Sequence, residues 1–385
     1  MVDNTIIGRF VPEINPESIE KLLSIIAASM LVISTFAVAS MLSAYATASS
    51  TATPRSFSLV VSDDVSQYAL STFIAAFIFS IVALVALKND YYGKAGHFAL
   101  FSLTLVVFAF VIITFLRWVD RIARLGRLTT TIDKVEKATA AAMQRWRCAP
   151  TLGAAAVGMG RDTGQAVFGS SIGYVQRVDV NALQTYAEES GLRITVSALP
   201  GAFSAPGRTL AYVTPDSVDS SDIDPGRIAK AFQMGDDRTF DEDPRFGLIA
   251  LSEIASRALS SAVNDPGTAI TIIGRFVRLF ALWMEPIEED DKQTIEYDRV
   301  EVPEISLWDM FDDAFTSIAR DGAATIEVSV RLQKAFQSLA SIGSVTLRDV
   351  AMHHARIALS RAENALVHPE DLEVLRKVAE FSHPA

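Results

Sequence analysis

The sequence predicts an α-helical membrane protein, with three transmembrane helices followed by a cytoplasmic α+β region that has a small β-module and a mostly helical C-terminal part. Three observations predict it. Leu22–Ala46, Ala69–Leu87 and Phe98–Val119 are apolar stretches, each close to the roughly 20 residues that carry a helix across a bilayer. No Asp, Glu, Lys or Arg interrupts residues 22–54, 65–87 or 95–116, whereas a helix of that length facing water would show a polar side. Charge is also partitioned: eight Lys/Arg against three Asp/Glu crowd into residues 117–147, and the rest of the chain is acidic.

Residues 1–21 hold Asp3, Glu13, Glu17 and Glu20 and lack a basic leader, so no cleavable signal is expected; with three spans and the basic cluster described below held inside, the segment is placed on the extracytoplasmic side. The first span, 22–46, is rich in small and hydroxyl residues, with Ala39/Ser43 and Ser40/Ala44 four apart. That spacing lets another helix approach closely. It also makes Ser29, Ser40 and Ser43 candidates for a mildly polar pore wall. Thr53–Asp64 reads as a short interfacial helix opened by Pro54, with Phe57, Val60 and Val61 on one face. The spans at 69–87 and 98–119 are rich in Phe, Leu, Ile and Val and read as lipid-facing. Arg117, Arg121, Arg124 and Arg127 then form a basic collar at the headgroups, continued by Lys134, Lys137, Arg145 and Arg147. Such a cluster stays in the cytoplasm and outweighs Lys88 and Lys94 in the outer turn. The expected location is a bacterial inner membrane, multi-pass, with the C-terminal part cytoplasmic.

Residues 120–164 read as a stalk helix to about Arg147 followed by a Gly/Ala-rich linker, Thr151–Gly164. The linker's Gly158–Gly164 run lacks the strand and the Gly-Lys-Ser/Thr of a phosphate loop. Residues 165–215 read as a small β-rich barrel or sandwich module. Its strands are Gly173–Asp179, Leu192–Leu199 and Thr209–Val213, its helix is Val180–Ser190 closed by Gly191, and turns fall at Pro200-Gly201 and Pro206-Gly207. Residues 216–385 read as helical: Pro225–Met234, Phe246–Val263, Pro266–Met284, Leu307–Arg320, Ala323–Ile342, Thr346–Leu366 and Pro369–Phe381. The acidic run Glu285–Asp291 and Tyr297–Ile305 are expected to form one loop or ribbon.

The stretch Ala258-Leu259-Ser260-Ser261-Ala262-Val263-Asn264-Asp265-Pro266-Gly267-Thr268-Ala269 resembles the signature Ala-Leu-Ser-Pro-x-Ile-Asn-Asp-Pro-Phe-Thr-Ala of a family of predicted bacterial integral membrane proteins of unassigned function. Pro54-Arg55 through Phe79, Gly173-Tyr174-Val175-Gln176, Pro200-Gly201-Ala202-Phe203, Arg238-Thr239 and Asp243-Pro244-Arg245-Phe246-Gly247 are similar to that family in the same order. The chain departs from it at Ser261 and Gly267. It also departs at the N-terminus, where members of that family usually carry one more span before the position of Leu22. The resemblance implies no catalytic residues.

Asp265 can cap a helix and Pro266 suits its first position. Asn264, Asp265, Thr268 and Arg257 therefore mark either a tight helix–helix corner or a helix terminus that, with Thr268 and Arg257, Arg275 or Arg238 nearby, faces an anion or polar ligand. His353, His354 and His368 lack metal-ligand spacing and are expected at the surface, as are Asp236-Asp237 and Asp312-Asp313. The single cysteine, Cys148, excludes a disulfide framework. No catalytic motif appears, so neither enzyme activity, cofactor nor metal is expected. The acidic C-terminal part disfavours nucleic acid, because phosphate binding needs a basic surface, and no nucleic-acid partner is expected. The expected partners are the lipid bilayer, further copies of the chain and a small-molecule or protein ligand. The absence of ionisable groups inside the spans argues against ion-coupled transport. Two functions remain: an oligomeric channel or small-solute pore with a cytoplasmic regulatory domain, or a non-conducting, membrane-anchored sensor or scaffold.

Overall fold

A computed structural model describes residues 12, 14–61, 64–124, 127–158, 163–215, 223–288, 294–342 and 344–382. It divides into two units, Met1–Thr131 and Ile132–Ala385.

The first unit is built from α1 (Pro16–Thr51), a 3-10 turn at Pro54–Ser56 running into α2 (Phe57–Val61), α3 (Asp64–Lys88) and α4 (Lys94–Arg124). α1 packs against α3 and α4, and α3 packs against α4. Ile26, Met30, Ala37, Phe73, Val111 and Trp118 form much of the seam. Hydroxyls buried in it are satisfied within their own helices: Ser34 Oγ donates to the Met30 carbonyl at 2.7 Å and Thr104 Oγ1 to the Leu100 carbonyl at 2.7 Å. The outer surface is the telling part. Ile25, Val32, Phe36, Ile78, Val82, Val106, Phe110 and Leu116 are each more than half exposed. Facing water, each such side chain forfeits about 1.5–3 kcal/mol of burial free energy; facing hydrocarbon it forfeits little. Helices long and apolar enough to cross a membrane lie at Pro16–Thr47, Val65–Lys88 and Lys94–Arg124, and also at Pro266–Met284 in the second unit. The sequence predicts three; by length and composition there are four among the described residues. α4 ends at Arg124 and α5 (Leu128–Cys148) starts afresh, in place of one stalk helix reaching Arg147.

In the second unit the remainder of α5 is followed by a sheet region and then by helices. The order is β1 (Ala154–Ala156), β2 (Gln165–Phe168), β3 (Gly173–Val178), α6 (Val180–Ser190), β4 (Leu192–Val196), β5 (Phe203–Ser204), β6 (Thr209–Pro215), α7 (Pro225–Lys230), β7 (Phe232–Gly235), α8 (Pro244–Ala258), α9 (Pro266–Met284), β8 (Tyr297–Val302), α10 (Leu307–Asp321), α11 (Ile326–Ile342), α12 (Val345–Ala365) and α13 (Pro369–Ala379). A five-stranded mixed sheet runs β1-β8-β4-β6-β2, and a three-stranded antiparallel sheet runs β5-β3-β7. β8 lies parallel to both β1 and β4. α6, capped by Asp179 at its start and by Gly191 (φ 64) at its end, packs on β4 and β8. Val167, Val175, Leu183, Ile194, Leu210, Phe232 and Val300 share one core. The later helices close around a second, aromatic core. Phe280 and Phe311 centroids are 4.4 Å apart, and Phe315 and Phe336 are 4.8 Å apart.

Several expectations change. The sheet region draws strands from beyond residues 165–215, in two sheets whose residues share one core. Ala154–Ala156, read as linker, is an edge strand of the larger sheet. Phe232–Gly235, read as the end of a helix, pairs with β3 because Phe232 is needed in the sheet core. Tyr297–Val302, read as part of a loop or ribbon, is an interior strand. α8 stops at Ala258 rather than Val263. The N-terminal segment up to Val11, residues 159–162 of the glycine loop and residues 289–293, which include the end of the acidic run, lie outside the described residues.

Candidate functional site

The sequence-predicted corner is a capped turn. Asn264 takes φ 51, and the Asp265 amide donates to the Ala258 carbonyl at 2.7 Å, folding the chain back. Asp265 Oδ1 accepts from the Thr268 amide at 3.1 Å and Oδ2 from the Thr268 hydroxyl at 2.6 Å. Thr268 thereby holds the Asp265 carboxyl below its ordinary range. Both carboxylate oxygens serve the start of α9, and Arg257 is exposed on α8.

In the first unit Ser29 and Ser43 are exposed and Ser40 is half-buried. Ser40 and Ser43 join Ala39, Ala44, Thr47, Ile122 and Arg127 around an open groove of about 580 Å³. Ser29 is not part of it. Helical spacing places Phe36, 61% exposed, on the same stripe between Ser29 and Ser40. Arg117, Arg124 and Arg127 are exposed and Arg121 is half-buried. Arg124 pairs with Asp120 at 3.0 Å, one turn back.

The most developed site is a cleft of about 450 Å³ in the second unit. Its walls come from the end of β4 (Val196, Ser197), the turn Leu199–Ala202, the approach to α8 (Arg238, Asp243, Arg245) and the approach to α10 (Pro303–Ser306, Asp309). Asp243 is 2% exposed. Its Oδ2 accepts from Arg238 Nε at 2.7 Å, its Oδ1 accepts from Arg238 Nη2 at 3.0 Å, and Oδ1 also caps the Phe246 amide at 3.1 Å. The Arg238 guanidinium lies over the Phe246 ring at 5.5 Å, a cation–π contact that fixes its plane. Arg245 Nη1 donates to Asp309 Oδ2 at 2.7 Å and Nε donates to Asp313 Oδ2 at 2.6 Å. Burial pushes the Asp313 carboxyl up in spite of that partner. Asp313 is therefore not on a solvated face as expected from its sequence, while Asp312, Asp236 and Asp237 are exposed. Gly201 has φ 91, and a Cβ there would overlap the Asp243 carboxylate and crowd Arg238. Only glycine lets this backbone reach the ion pair.

Of these cleft residues the sequence singles out Arg238 alone, as one arginine beside a ligand at the start of α9; the structure places it in this cleft instead. The signal lay in the resemblance: Pro200-Gly201-Ala202-Phe203, Arg238-Thr239 and Asp243-Pro244-Arg245-Phe246-Gly247 are separate in sequence, and the fold brings residues from all three to one cleft. His354 is a second correction. It is 5% exposed and lies against Phe311 and Trp308, at 5.5 and 6.5 Å between ring centroids. Burial drives its pKa down to about 4, although Asp312 at 3.8 Å opposes the shift. Among the described residues no group of three or more His, Cys, Asp or Glu is arranged to hold a metal ion.

Apolar helices of membrane-crossing length, joined to a unit of mixed sheet and packed helices, define a membrane protein. The chain belongs to the family described as "Predicted membrane protein (DUF2254)", whose model matches residues 1–338. It is similar to the uncharacterized proteins MT1328 of Mycobacterium tuberculosis (strain CDC 1551 / Oshkosh), Mb1321c of Mycobacterium bovis (strain ATCC BAA-935 / AF2122/97) and Rv1290c of Mycobacterium tuberculosis (strain ATCC 25618 / H37Rv). Each is 35% identical over 105 residues, covering 26% of this chain and 20% of the relative. The match thus spans about a fifth of those relatives' length. No solved structure matches the chain.

Proposed function

We propose that the protein is a membrane-anchored sensor: three spans, α1, α3 and α4, hold it in a bacterial inner membrane, and the cytoplasmic second unit binds a small ligand in the cleft around Arg238, Asp243 and Arg245. The cleft carries this reading. Its volume lies in the range of small-molecule sites, and its guanidiniums are held in place before any ligand arrives, which lowers the ordering cost of binding. The basic collar at Arg117, Arg121, Arg124 and Arg127 supports the cytoplasmic placement. The small-residue face of α1 supports assembly into a homo-oligomer. On this reading the protein is not an enzyme.

A second reading, the oligomeric channel or small-solute pore, is favoured by the open groove at Ala39, Ser40, Ser43, Ala44 and Thr47. Phe36 counts against it, since a bulky ring interrupts the hydroxyl row. Purified protein in liposomes separates the two. A sensor leaves ion and small-solute flux at the protein-free background. Flux above background that is lost on changing Ser40 and Ser43 to Leu would overturn the sensor and establish the pore.

A further inference from the structure

From the chemistry of the cleft walls we infer that its ligand is a small zwitterion of the amino-acid class, carrying a carboxylate beside an ammonium; this rests on the reading of the cleft as a ligand site.

Each cleft arginine keeps one terminal nitrogen uncommitted. Arg238 spends Nε and Nη2 on Asp243, and Arg245 spends Nε and Nη1 on Asp313 and Asp309. Arg238 Nη1 and Arg245 Nη2 have no hydrogen-bond partner among the described residues. A guanidinium edge fixed in this way suits a carboxylate, because planar N–H donors match planar oxygens. Arg238 is only 17% exposed, so a carboxylate reaching it sits in a partly desolvated place where the pairing is stronger than in water.

A simple anion is disfavoured by the rest of the lining. Asp243, Glu304 and Asp309 put three carboxylates against two arginines. Glu304 is exposed at the rim and the Asp309 side chain is 49% exposed. Asp243 and Asp309 are matched by Arg238 and Arg245, which leaves Glu304 with no cationic partner among the described residues and Asp309 with exposed surface to spare. A plain amine is disfavoured in turn, since it leaves both guanidinium edges unpaired and brings a cation toward two others. A ligand with both charges answers both ends: its carboxylate meets the arginines, and its ammonium meets Glu304 and Asp309. Ser197 and Ser306 add hydroxyls, while Val196, Leu199, Ala202, Pro303 and Ile305 supply an apolar wall for a side chain.

The test uses the full chain in detergent, with unfolding followed by tryptophan fluorescence. The probes are the free L-amino acids, singly, each beside its amine-only and acid-only analogue (for leucine, isoamylamine and 4-methylpentanoate) at matched ionic strength. At least one amino acid is expected to raise Tm saturably, with both analogues roughly tenfold weaker or worse. Glu304→Gln, a rim change that leaves the ion pairs intact, is expected to keep the unliganded Tm and weaken that amino acid roughly tenfold. If an acid-only or amine-only probe matches its parent, the zwitterion class is overturned while the cleft stands as a ligand site. If no amino acid shifts Tm, or if Glu304→Gln binds as the unaltered protein does, the inference is overturned. The sensor reading stands or falls separately, on the liposome flux.

Discussion

Asp243 does two jobs at one position. It pairs with Arg238 and it caps the first turn of α8, and Gly201 is the residue that lets the opposing turn close over both. Gly201→Ala forces a Cβ onto this pair from a backbone at φ 91. Left-handed strain alone costs about 1–3 kcal/mol, so a clear drop in Tm is expected for the purified chain. An unchanged Tm would show that the turn relaxes away from Asp243. His354 sets a pH dependence. Its native pKa of about 4 lies below the ordinary 6.5, so the unfolded chain takes up a proton that the folded chain refuses. Stability from this group is complete above pH 6.5 and is lost as pH falls toward about 4. The loss between pH 7 and about pH 5 amounts to about 2 kcal/mol. Tm of the unaltered chain should fall over that window more than Tm of His354→Leu; parallel curves would remove His354 as the cause.

At the scale of elements, α9 is the instructive case. By length and apolarity it qualifies to cross a membrane. Its middle, however, carries Arg275 and Arg278. Arg275 pairs with Asp133 at 2.6 Å and with Glu136, and Arg278 pairs with Glu136 at 2.9 Å, both partners lying on α5. Its buried face, Ile272, Ile273, Phe276 and Phe280, belongs to a packed core, and α9 packs on α8 and α11. An arginine at the centre of a span costs about 2.5–3.5 kcal/mol on insertion scales. The expectation is that α9 stays packed in the second unit and does not cross the membrane. Gly274 lies mid-helix with open space around a built Cβ. Gly274→Cys in a Cys148→Ser background should react with a membrane-impermeant maleimide in inverted membrane vesicles. A residue at the bilayer midplane would not react.

For the whole molecule, the exposed apolar surface of α1, α3 and α4 leads to the plainest expectation. The chain should pellet with membranes on ultracentrifugation, and detergent rather than salt or carbonate should release it. Recovery in the detergent-free supernatant would remove the bilayer from the account. Much of this was legible in the sequence because a charge-free run of such length has one favourable solvent. α9 and α6 could also be placed from sequence, their ends marked by Asp265-Pro266 and by Gly191. The sheet was harder. β8 pairs with β4 across a segment that holds β5, β6, α7, β7, α8 and α9, and no local pattern records a partner so far away. Phe232 looked helical because α7 precedes it directly; only the shared core shows it as a strand. Adjacent residues such as Asp312 and Asp313, or His353 and His354, are told apart by which side of a helix meets a neighbour.

By itself, then, the sequence determined the medium around the first unit, the helical character of most of the chain and several helix ends. Each of these is set by short stretches of hydrophobicity, by Pro and Gly, and by capping side chains, all of which act over one or two turns. Only the tertiary structure decided that Gly201, Arg238, Asp243, Arg245 and Asp309 meet around one cleft, and that His354 is buried. Those outcomes depend on packing between distant segments, where desolvation and charge pairing act through space and leave no local trace in the chain.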